Sequence, residues 1–315
     1  KCLNIKSTNN VIDYSIKELI DSIGNIVYIS ISSPITTIGS YAFKGCSSLM
    51  DINIPDSVTS IEKGAFSGCS SLARMRIPPS TKEIGDLAFE FCTNLSQLEI
   101  NPCQSKIQSN TFKKCLSLNF LLISSTDGII NCPLKSYIDR IGQITEIIFL
   151  HSVTKIGNSA FKGCSKLTAI NIPGSVTSID DYAFYGCSSI VGLVVPSSVT
   201  NIGEYAFYKC NSLSYALIPT SVHQIGDFAF FGCFNLSTLE IDPLSTSFQN
   251  DTFKKCSSLK HLVILSKDKS IEYPLKPYLG NFGQITKITI PSFITTIGPS
   301  VFQQCTEIVE IEIPA

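Results

Sequence analysis

Apolar and polar positions repeat along the chain in a pattern that predicts one short β-strand per repeat. In one copy Leu49, Ile52 and Ile54 are apolar, a polar residue separates the last two, and Pro55 follows. The alternation is typical of a strand with one buried face, and proline ends the strand because it has no N–H to donate. The pattern recurs with small changes at Leu72 to Pro78, Leu167 to Pro173 and Leu213 to Pro219.

A second string precedes each strand and sets the period at 23 residues. It reads IGSYAFKGCSSL from Ile38 and IGNSAFKGCSKL from Ile156. The Ala-Phe-x-x-Cys stretch is too short for an independent helix, so it predicts a single helical or 3₁₀ turn that packs Phe and Cys inward. The cysteine of this string recurs at Cys46, Cys69, Cys92, Cys115, Cys164, Cys187, Cys210, Cys233, Cys256 and Cys305.

Three longer units of 26 residues interrupt the series. Each has apolar residues at i, i+3, i+4 and i+7 followed by glycine, as in Leu134, Tyr137, Ile138 and Ile141 before Gly142. This spacing predicts two-turn amphipathic helices that end at the glycine. The predicted helices span 16–24, 134–142 and 275–283, and they divide the chain into sub-blocks 13–133, 134–274 and 275–315.

Self-similarity at a fixed period of this length predicts a solenoid, so residues 1–315 are expected to form a single repeat domain. Ten Phe-Cys units and three longer units, with one strand each, give thirteen parallel strands, which would extend over ~60 Å at ~4.8 Å per strand. The last unit ends on Ile313 and Pro314 without a polar cap. We therefore expect a fragment of a longer chain, with end-to-end or homo-oligomeric association as a possibility.

The unit I-G-x-x-A-F-x-x-C-x-x-L-x-x-I-x-I-P resembles the BspA-like class of leucine-rich repeats from Ile38 to the end. The strings before Cys115 and Cys256 depart from it, reading QSNTFKKC and QNDTFKKC. The resemblance implies an α/β-type, right-handed leucine-rich repeat superhelix with a single long parallel sheet on its concave face. Short helical or 3₁₀ turns would lie on the convex face. It also implies surface proteins of host-associated microbes that act in adhesion.

Composition excludes several classes of protein. The chain is 44% hydrophobic and 16% charged, which excludes intrinsic disorder. Lys and Arg number 24 against 25 Asp and Glu, so no global basic field favours nucleic acid or an anionic membrane. No apolar run approaches the ~20 residues that span a bilayer.

We call the ten periodic cysteines the cysteine column. They have three possible interpretations: disulfides, metal ligands or buried thiols. Identical residues on adjacent parallel strands lie ~4.8 Å apart, wider than the ~3.8 Å Cβ separation of a disulfide, and the chain has no C-x-x-C motif. Reduced, buried thiols are therefore expected. Cys103 and Cys132 lie outside the column and are 29 residues apart, about one solenoid turn, so a bond between them is conceivable. The state of Cys2 is left open.

No motif in the sequence indicates catalysis, so we predict no enzyme activity, no cofactor and no small-molecule substrate. The three histidines are expected to be solvated, and Asp180-Asp181 is expected to lie in a connecting turn. Three glycosylation patterns occur, two of which precede a leucine that must be buried in a strand. These histidines and acceptor asparagines are His151, His223, His261, Asn94, Asn235 and Asn250.

The strand positions between the buried residues do not repeat, and they face outward from the predicted sheet. They form two apolar clusters framed by Arg74, Arg76, Glu99 and Glu240, which predicts a protein-binding face. The predicted ligand-binding residues are Arg74, Arg76, Phe120, Leu122, Ile148, Val194, Tyr215 and Leu217.

Two functions are expected from these features and from the resemblance. The first is a cell-surface adhesin or surface antigen that contacts a host or extracellular-matrix protein through the concave sheet. Such a protein would be located at the cell surface or secreted. The alternative is an intracellular or secreted scaffold for protein–protein interaction, in which a cytoplasmic location would fit the reduced cysteine column.

Overall fold

The computed structural model contains two compact units of stacked coils. One comprises Lys1–Asp127 and Leu134–His151, and the other comprises Gly128–Pro133 and Ser152–Ala315. We call them unit 1 and unit 2. The structure describes residues 1–6, 9–23, 26–32, 34–108, 110–135, 144–150, 153–248, 251–282 and 284–313. Whether residues 1–315 form a single solenoid domain stays a prediction.

The Leu-x-x-Ile-x-Ile segments form the longer strands of each coil, and neighbouring strands pair in parallel. Leu121 pairs with Leu98 in unit 1 and Leu239 pairs with Leu262 in unit 2, so the pairing follows the 23-residue period. In unit 1 these strands are Cys2–Ile5, Tyr28–Ile31, Asp51–Asn53, Arg74–Arg76, Gln97–Ile100, Phe120–Ile123 and Glu146–Phe149. In unit 2 they are Ala169–Ile170, Gly192–Val194, Tyr215–Leu217, Thr238–Ile241, His261–Ile264, Lys287–Thr289 and Glu310–Glu312. The thirteen predicted parallel strands are confirmed, and Cys2–Ile5 is a further strand of this series that was not predicted.

A second series of two-residue parallel strands lies in the segment before each Phe-Cys turn. The prediction of a single sheet missed it, because one exposed polar residue followed by one buried isoleucine is too short an alternation to identify a strand. Unit 1 contains Val11–Ile12, Thr37–Ile38, Ser60–Ile61, Glu83–Ile84 and Lys106–Ile107. Unit 2 contains Ile129–Ile130, Lys155–Ile156, Ser178–Ile179, Asn201–Ile202, Gln224–Ile225, Ser247–Phe248, Ser270–Ile271 and Thr296–Ile297.

The Phe-Cys segments are consecutive turns, not the helical or 3₁₀ turns that the sequence predicted. Two positions of the first segment have positive φ, 61° at Tyr41 and 73° at Gly45, which interrupts a right-handed helix. Alternate N–H groups also donate to the next coil instead of continuing a helical ladder. Those of Tyr41, Phe43 and Gly45 donate to the carbonyls of Lys63, Ala65 and Ser67 at 3.0, 2.7 and 2.7 Å.

The phenylalanine of each turn stacks on its counterparts in the neighbouring coils and forms the core of each unit. Adjacent ring centroids are 5.0–5.2 Å apart in unit 1 and 5.1–5.2 Å apart in unit 2. The rings of Phe66 and Phe184 are fully buried. The columns comprise Phe43, Phe66, Phe89 and Phe112, and then Phe161, Phe184, Phe207, Phe230 and Phe253.

The cysteine column consists of free thiols, as predicted, and all but Cys305 are buried. A thiol of one coil donates to the phenylalanine carbonyl of the coil before it, as from Cys69 to Phe43 at 3.2 Å and from Cys210 to Phe184 at 3.4 Å. Burial raises the pKa of Cys210 to about 12, which keeps this thiol protonated as a donor.

The three cysteines outside the column differ from one another. Cys103 and Cys132 are both disulfide-bonded. Cys2 is free and exposed. The 29-residue spacing of Cys103 and Cys132 had left open whether these two cysteines are oxidised.

Helices occupy little of the described chain. Lys17–Ile23 is helical within the predicted 16–24, and Lys276–Leu279 with the 3₁₀ helix Gly280–Phe282 lies within the predicted 275–283. The prediction for 134–142 falls almost entirely outside the described residues. Within the described ranges, no helix has the length and apolar character needed to cross a bilayer.

Candidate functional site

The candidate site is the outward face of the longer strands, which we call the sheet face. In Phe120–Ile123 the side chains of Leu121 and Ile123 are buried, whereas Phe120 and Leu122 are half-buried. The strand alternation therefore fixes which residues line the core and which reach the surface.

In unit 1 the structure brings the predicted site residues together on adjacent strands. Leu122 pairs with Glu99 on one side and with Ile148 on the other. Arg76 pairs with Glu99 one strand further along. Phe120 lies in the neighbouring column, so Phe120, Leu122 and Ile148 form one apolar cluster, and the side chain of Ile148 is 38% exposed.

The two arginines beside this cluster are held by carboxylates. Arg74 Nη2 lies 2.6 Å from Asp51 Oδ2, and Arg76 lies 2.9 Å from Asp56 Oδ1 and 3.2 Å from Glu99 Oε1. Such exposed ion pairs stabilise the fold little, so their main effect is to orient the guanidinium groups. Both groups stay largely exposed and can donate further hydrogen bonds to a partner.

A shallow cavity of about 290 Å³ opens on this part of the sheet face. Both arginines line it, with Asp51 and Glu99 but without Asp56, and Leu122 supplies an apolar edge. The cavity, the oriented charges and the adjoining apolar cluster lie side by side. Together they form a surface on which a side chain of a partner protein could be anchored. The cavity is lined by Asp51, Ile52, Arg74, Met75, Arg76, Gln97, Glu99 and Leu122.

In unit 2 the sheet face carries the second predicted cluster. Val194 pairs with Leu217 on the next strand, and Val194 is 59% exposed. The hydroxyl of Tyr215 donates to Glu240 Oε1 at 2.8 Å. Burial, with a smaller contribution from Glu240, raises the pKa of Tyr215 to about 12, so its hydroxyl remains a donor at neutral pH.

A polar network on the sheet face of unit 2 was missed by the sequence analysis. His261 was expected to be solvated, but it is half-buried, and its Nε2 lies 2.8 Å from Thr289 Oγ1. Thr289 donates to Glu312 at 3.0 Å, and Lys287 pairs with Glu310 and Glu312 at 2.7 and 3.2 Å. Burial, then the charge of Lys287, lowers the pKa of His261, which favours the neutral ring. The sequence contained a signal for this network, because these residues are spaced 23–28 residues apart in the two variable columns and therefore lie on neighbouring strands.

A family model for the BspA type leucine rich repeat region matches residues 17–132, 135–260 and 245–315 in six copies. The chain belongs to this BspA-type leucine-rich repeat family. No curated protein is similar enough to match it.

Several of the solved structures similar to this BspA-type chain are bacterial proteins. A leucine-rich repeat protein from Bacteroides ovatus is 25% identical, with 98% of this chain and 73% of that one covered and a TM-score of 0.39. A leucine rich cell surface protein from Faecalibacterium prausnitzii is 24% identical, covering 93% and 89%, with a TM-score of 0.30. The pneumococcal vaccine antigen PcpA is 18% identical, covering 100% and 89%, with a TM-score of 0.38.

The remaining residues that the sequence singled out in this BspA-type chain lie off the sheet face. Asp180 pairs with Lys155 at 2.8 Å, and Asp181 accepts the Glu204 N–H at 2.7 Å. His223 is exposed, as expected. Within the described ranges, no group of three or more His, Cys, Asp or Glu side chains could hold a metal ion.

Two glycosylation candidates also lie within the described chain. Asn94 and Asn235 are exposed, and the leucines that follow them, Leu95 and Leu236, are fully buried. Glycan occupancy at either stays a prediction. His151 and Asn250 lie outside the described residues.

Proposed function

We propose that this BspA-type chain is a non-catalytic protein-binding module of a cell-surface adhesin or surface antigen. Its sheet face would contact a host or extracellular-matrix protein. One observation carries the proposal: buried positions repeat from coil to coil, whereas the exposed sheet positions differ and bring Phe120, Leu122 and Ile148 together beside two oriented arginines. Interfaces draw most of their binding energy from such buried apolar and arginine anchors.

Two further features support a location outside the cytoplasm. The family suggests surface or secreted proteins. Cys103 and Cys132 are disulfide-bonded, and such bonds persist in oxidising compartments. The free thiol column fits an intracellular scaffold equally well, but its burial explains its reduced state in either compartment.

The test is binding of the chain to a panel of purified extracellular-matrix proteins by biolayer interferometry. Phe120→Ala and Tyr215→Ala should each weaken binding by more than ~1 kcal/mol, about fivefold in Kd, because each removes an aromatic contact. Their melting temperatures should stay close to that of the parent chain, since both side chains are only half-buried.

Phe91→Ala is the matched control, because Phe91 is 49% exposed and lies in a turn of unit 1 away from the sheet face. It should bind like the parent chain. Tyr215→Phe separates the contribution of the hydroxyl from that of the ring. If Phe91→Ala lost binding while Phe120→Ala kept it, the sheet face would be the wrong surface. Failure to bind any matrix protein would reject the adhesin and favour the scaffold.

A further inference from the structure

Unit 2 carries a half-exposed aromatic surface on its turns, distinct from the sheet face. It consists of two columns in which rings of successive coils stack with centroids 4.7–5.2 Å apart. The two columns touch, with centroids 5.5–5.9 Å apart within each coil. We call this surface the aromatic strip, and it comprises Tyr182, Tyr205 and Phe228 in one column and Tyr185, Tyr208 and Phe231 in the other.

The fold does not require these rings. In one coil of unit 1 the matching position of the first column is Gly64 and that of the second is Ser67, in a turn of the same hydrogen-bonding pattern. In unit 2 itself the preceding turn has Ser159 at the first position, with φ 57° against 57° at Tyr182. Because small residues form the same turn, the aromatic side chains are not required for the turn conformation.

A groove of about 490 Å³ runs beside the strip along the two-residue strands of unit 2. Asp181, Glu204 and Asp227 line it, and each directly precedes a ring of the first column. With Asp180 they make four carboxylates against one lining ammonium, Lys155. That lysine is already paired with Asp180. Within the described ranges, Asp181, Glu204 and Asp227 take part in no ion pair, so the groove is acidic.

The strip already packs against ammonium groups of its own chain. Lys162 Nζ lies 4.7 Å from the Tyr182 ring centroid and 5.1 Å from that of Tyr185. Lys209 Nζ lies 5.3 Å from the Tyr208 ring centroid, and Lys255 Nζ lies 5.4 Å from that of Phe231. These lysines contact one end and the second column of the strip, and they do not line the groove. The rings of the strip can therefore pack against basic side chains.

We propose that the aromatic strip and its acidic groove bind an extended segment of a partner protein that is rich in arginine or lysine. The aliphatic stems would pack along the exposed ring edges while the charged heads reach Asp181 and Asp227, which lie two coils apart. A sugar is a poorer occupant, because it needs open ring faces and stacking within each column covers them. This proposal uses residues separate from those of the sheet face.

The repeat spacing specifies a probe. Two coils advance by about 9.6 Å, and a polyproline II segment advances by about 9.3 Å in three residues. Two successive arginines, three residues apart, would then meet Asp181 and Asp227. The probe is the peptide acetyl-(Arg-Pro-Pro)₃-amide carrying a fluorophore, and its binding to the 315-residue chain is measured by fluorescence anisotropy. A block isomer, Arg₃Pro₆, has the same charge without the spacing.

Two variants test the two parts of the surface. The double variant Asp181→Asn/Asp227→Asn should raise the Kd of the spaced peptide about tenfold, because it removes two carboxylates that lie two coils apart, and the asparagine oxygen can still accept the Glu204 N–H. The triple variant Tyr182→Ser/Tyr205→Ser/Phe228→Ser should raise it about fivefold, and Ser159 shows that serine fits this turn. Circular dichroism and thermal melting check that each variant is folded.

Tyr41→Ser is the matched control, since Tyr41 has the same turn position and φ sign but belongs to unit 1. It should leave peptide binding within about twofold of the parent value. The proposal is overturned if the spaced peptide does not bind, if the block isomer binds equally well, or if the folded variants bind like the parent chain. Binding of a neutral oligosaccharide or self-association that these variants abolish would likewise replace the proposed occupant. Loss of peptide binding in Phe120→Ala would also contradict it.

Discussion

Raising the pH from 7.5 to 9.5 should destabilise unit 2 through its buried thiols. Burial raises the pKa of Cys187, Cys210 and Cys233, in Cys210 to about 12, whereas an unfolded thiol titrates near ~8.5. The folded state therefore holds protons that the unfolded state releases. The stabilisation is complete below pH ~8.5 and is lost as the pH rises towards the folded pKa. Each thiol should lose about 1.4 kcal/mol over this interval, and the three together about 4 kcal/mol.

The assay is the free energy of opening of unit 2, from hydrogen exchange with mass spectrometry, at both pH values under oxygen-free, non-reducing conditions. Cys210→Ala should reduce the pH-dependent loss by about 1.4 kcal/mol, whatever its effect at pH 7.5. Cys2→Ala is the control, because Cys2 is exposed and should leave the pH dependence unchanged. An equal loss in Cys210→Ala and the parent chain would refute the reasoning.

Three other measurements test the packing. Phe184→Ala should cost ~4 kcal/mol and lower hydrogen-exchange protection in the adjoining coils, while half-exposed Phe228→Ala should cost ~1 kcal/mol or less. Equal costs would contradict the stacked core. Gly226→Ala should cost ~2 kcal/mol because its Cβ would lie 2.5 Å from the Glu204 nitrogen, whereas Gly192→Ala meets nothing within 4 Å and should be tolerated. Thiol titration of the denatured, unreduced chain should find eleven free thiols, and recovery of only a few would contradict the free column.

The sequence was sufficient to predict the longer strands and the columns of the sheet face. A 23-residue period aligns Leu98 with Leu121 without further information, because parallel strands in register place equivalent residues side by side. The turn conformation was predicted wrongly. A Phe-Cys segment has helical spacing, but its N–H groups find acceptors one coil away, and those acceptors appear only when the coils are stacked.

The candidate sites were likewise predictable from the sequence only in part. The apolar cluster around Phe120 follows from the period, whereas the pairing of Arg76 with Asp56 joins two different columns and depends on side-chain conformation. The aromatic strip was readable in principle from the strings DYAFY, EYAFY and DFAFF at 23-residue intervals.

The bonds between coils also determine how such a chain can change its length. Phe184 donates its N–H to a carbonyl 22 residues later, and Cys210 donates its thiol to one 26 residues earlier. Deleting residues 187–209 would join Gly186 to Cys210 and restore the AFYGC string, so every remaining donor would again meet an equivalent acceptor. A deletion that is not a whole number of repeats would place the donors and acceptors on its two sides out of register. Loss or gain of whole repeats would therefore change the extent of the surface while the fold is kept.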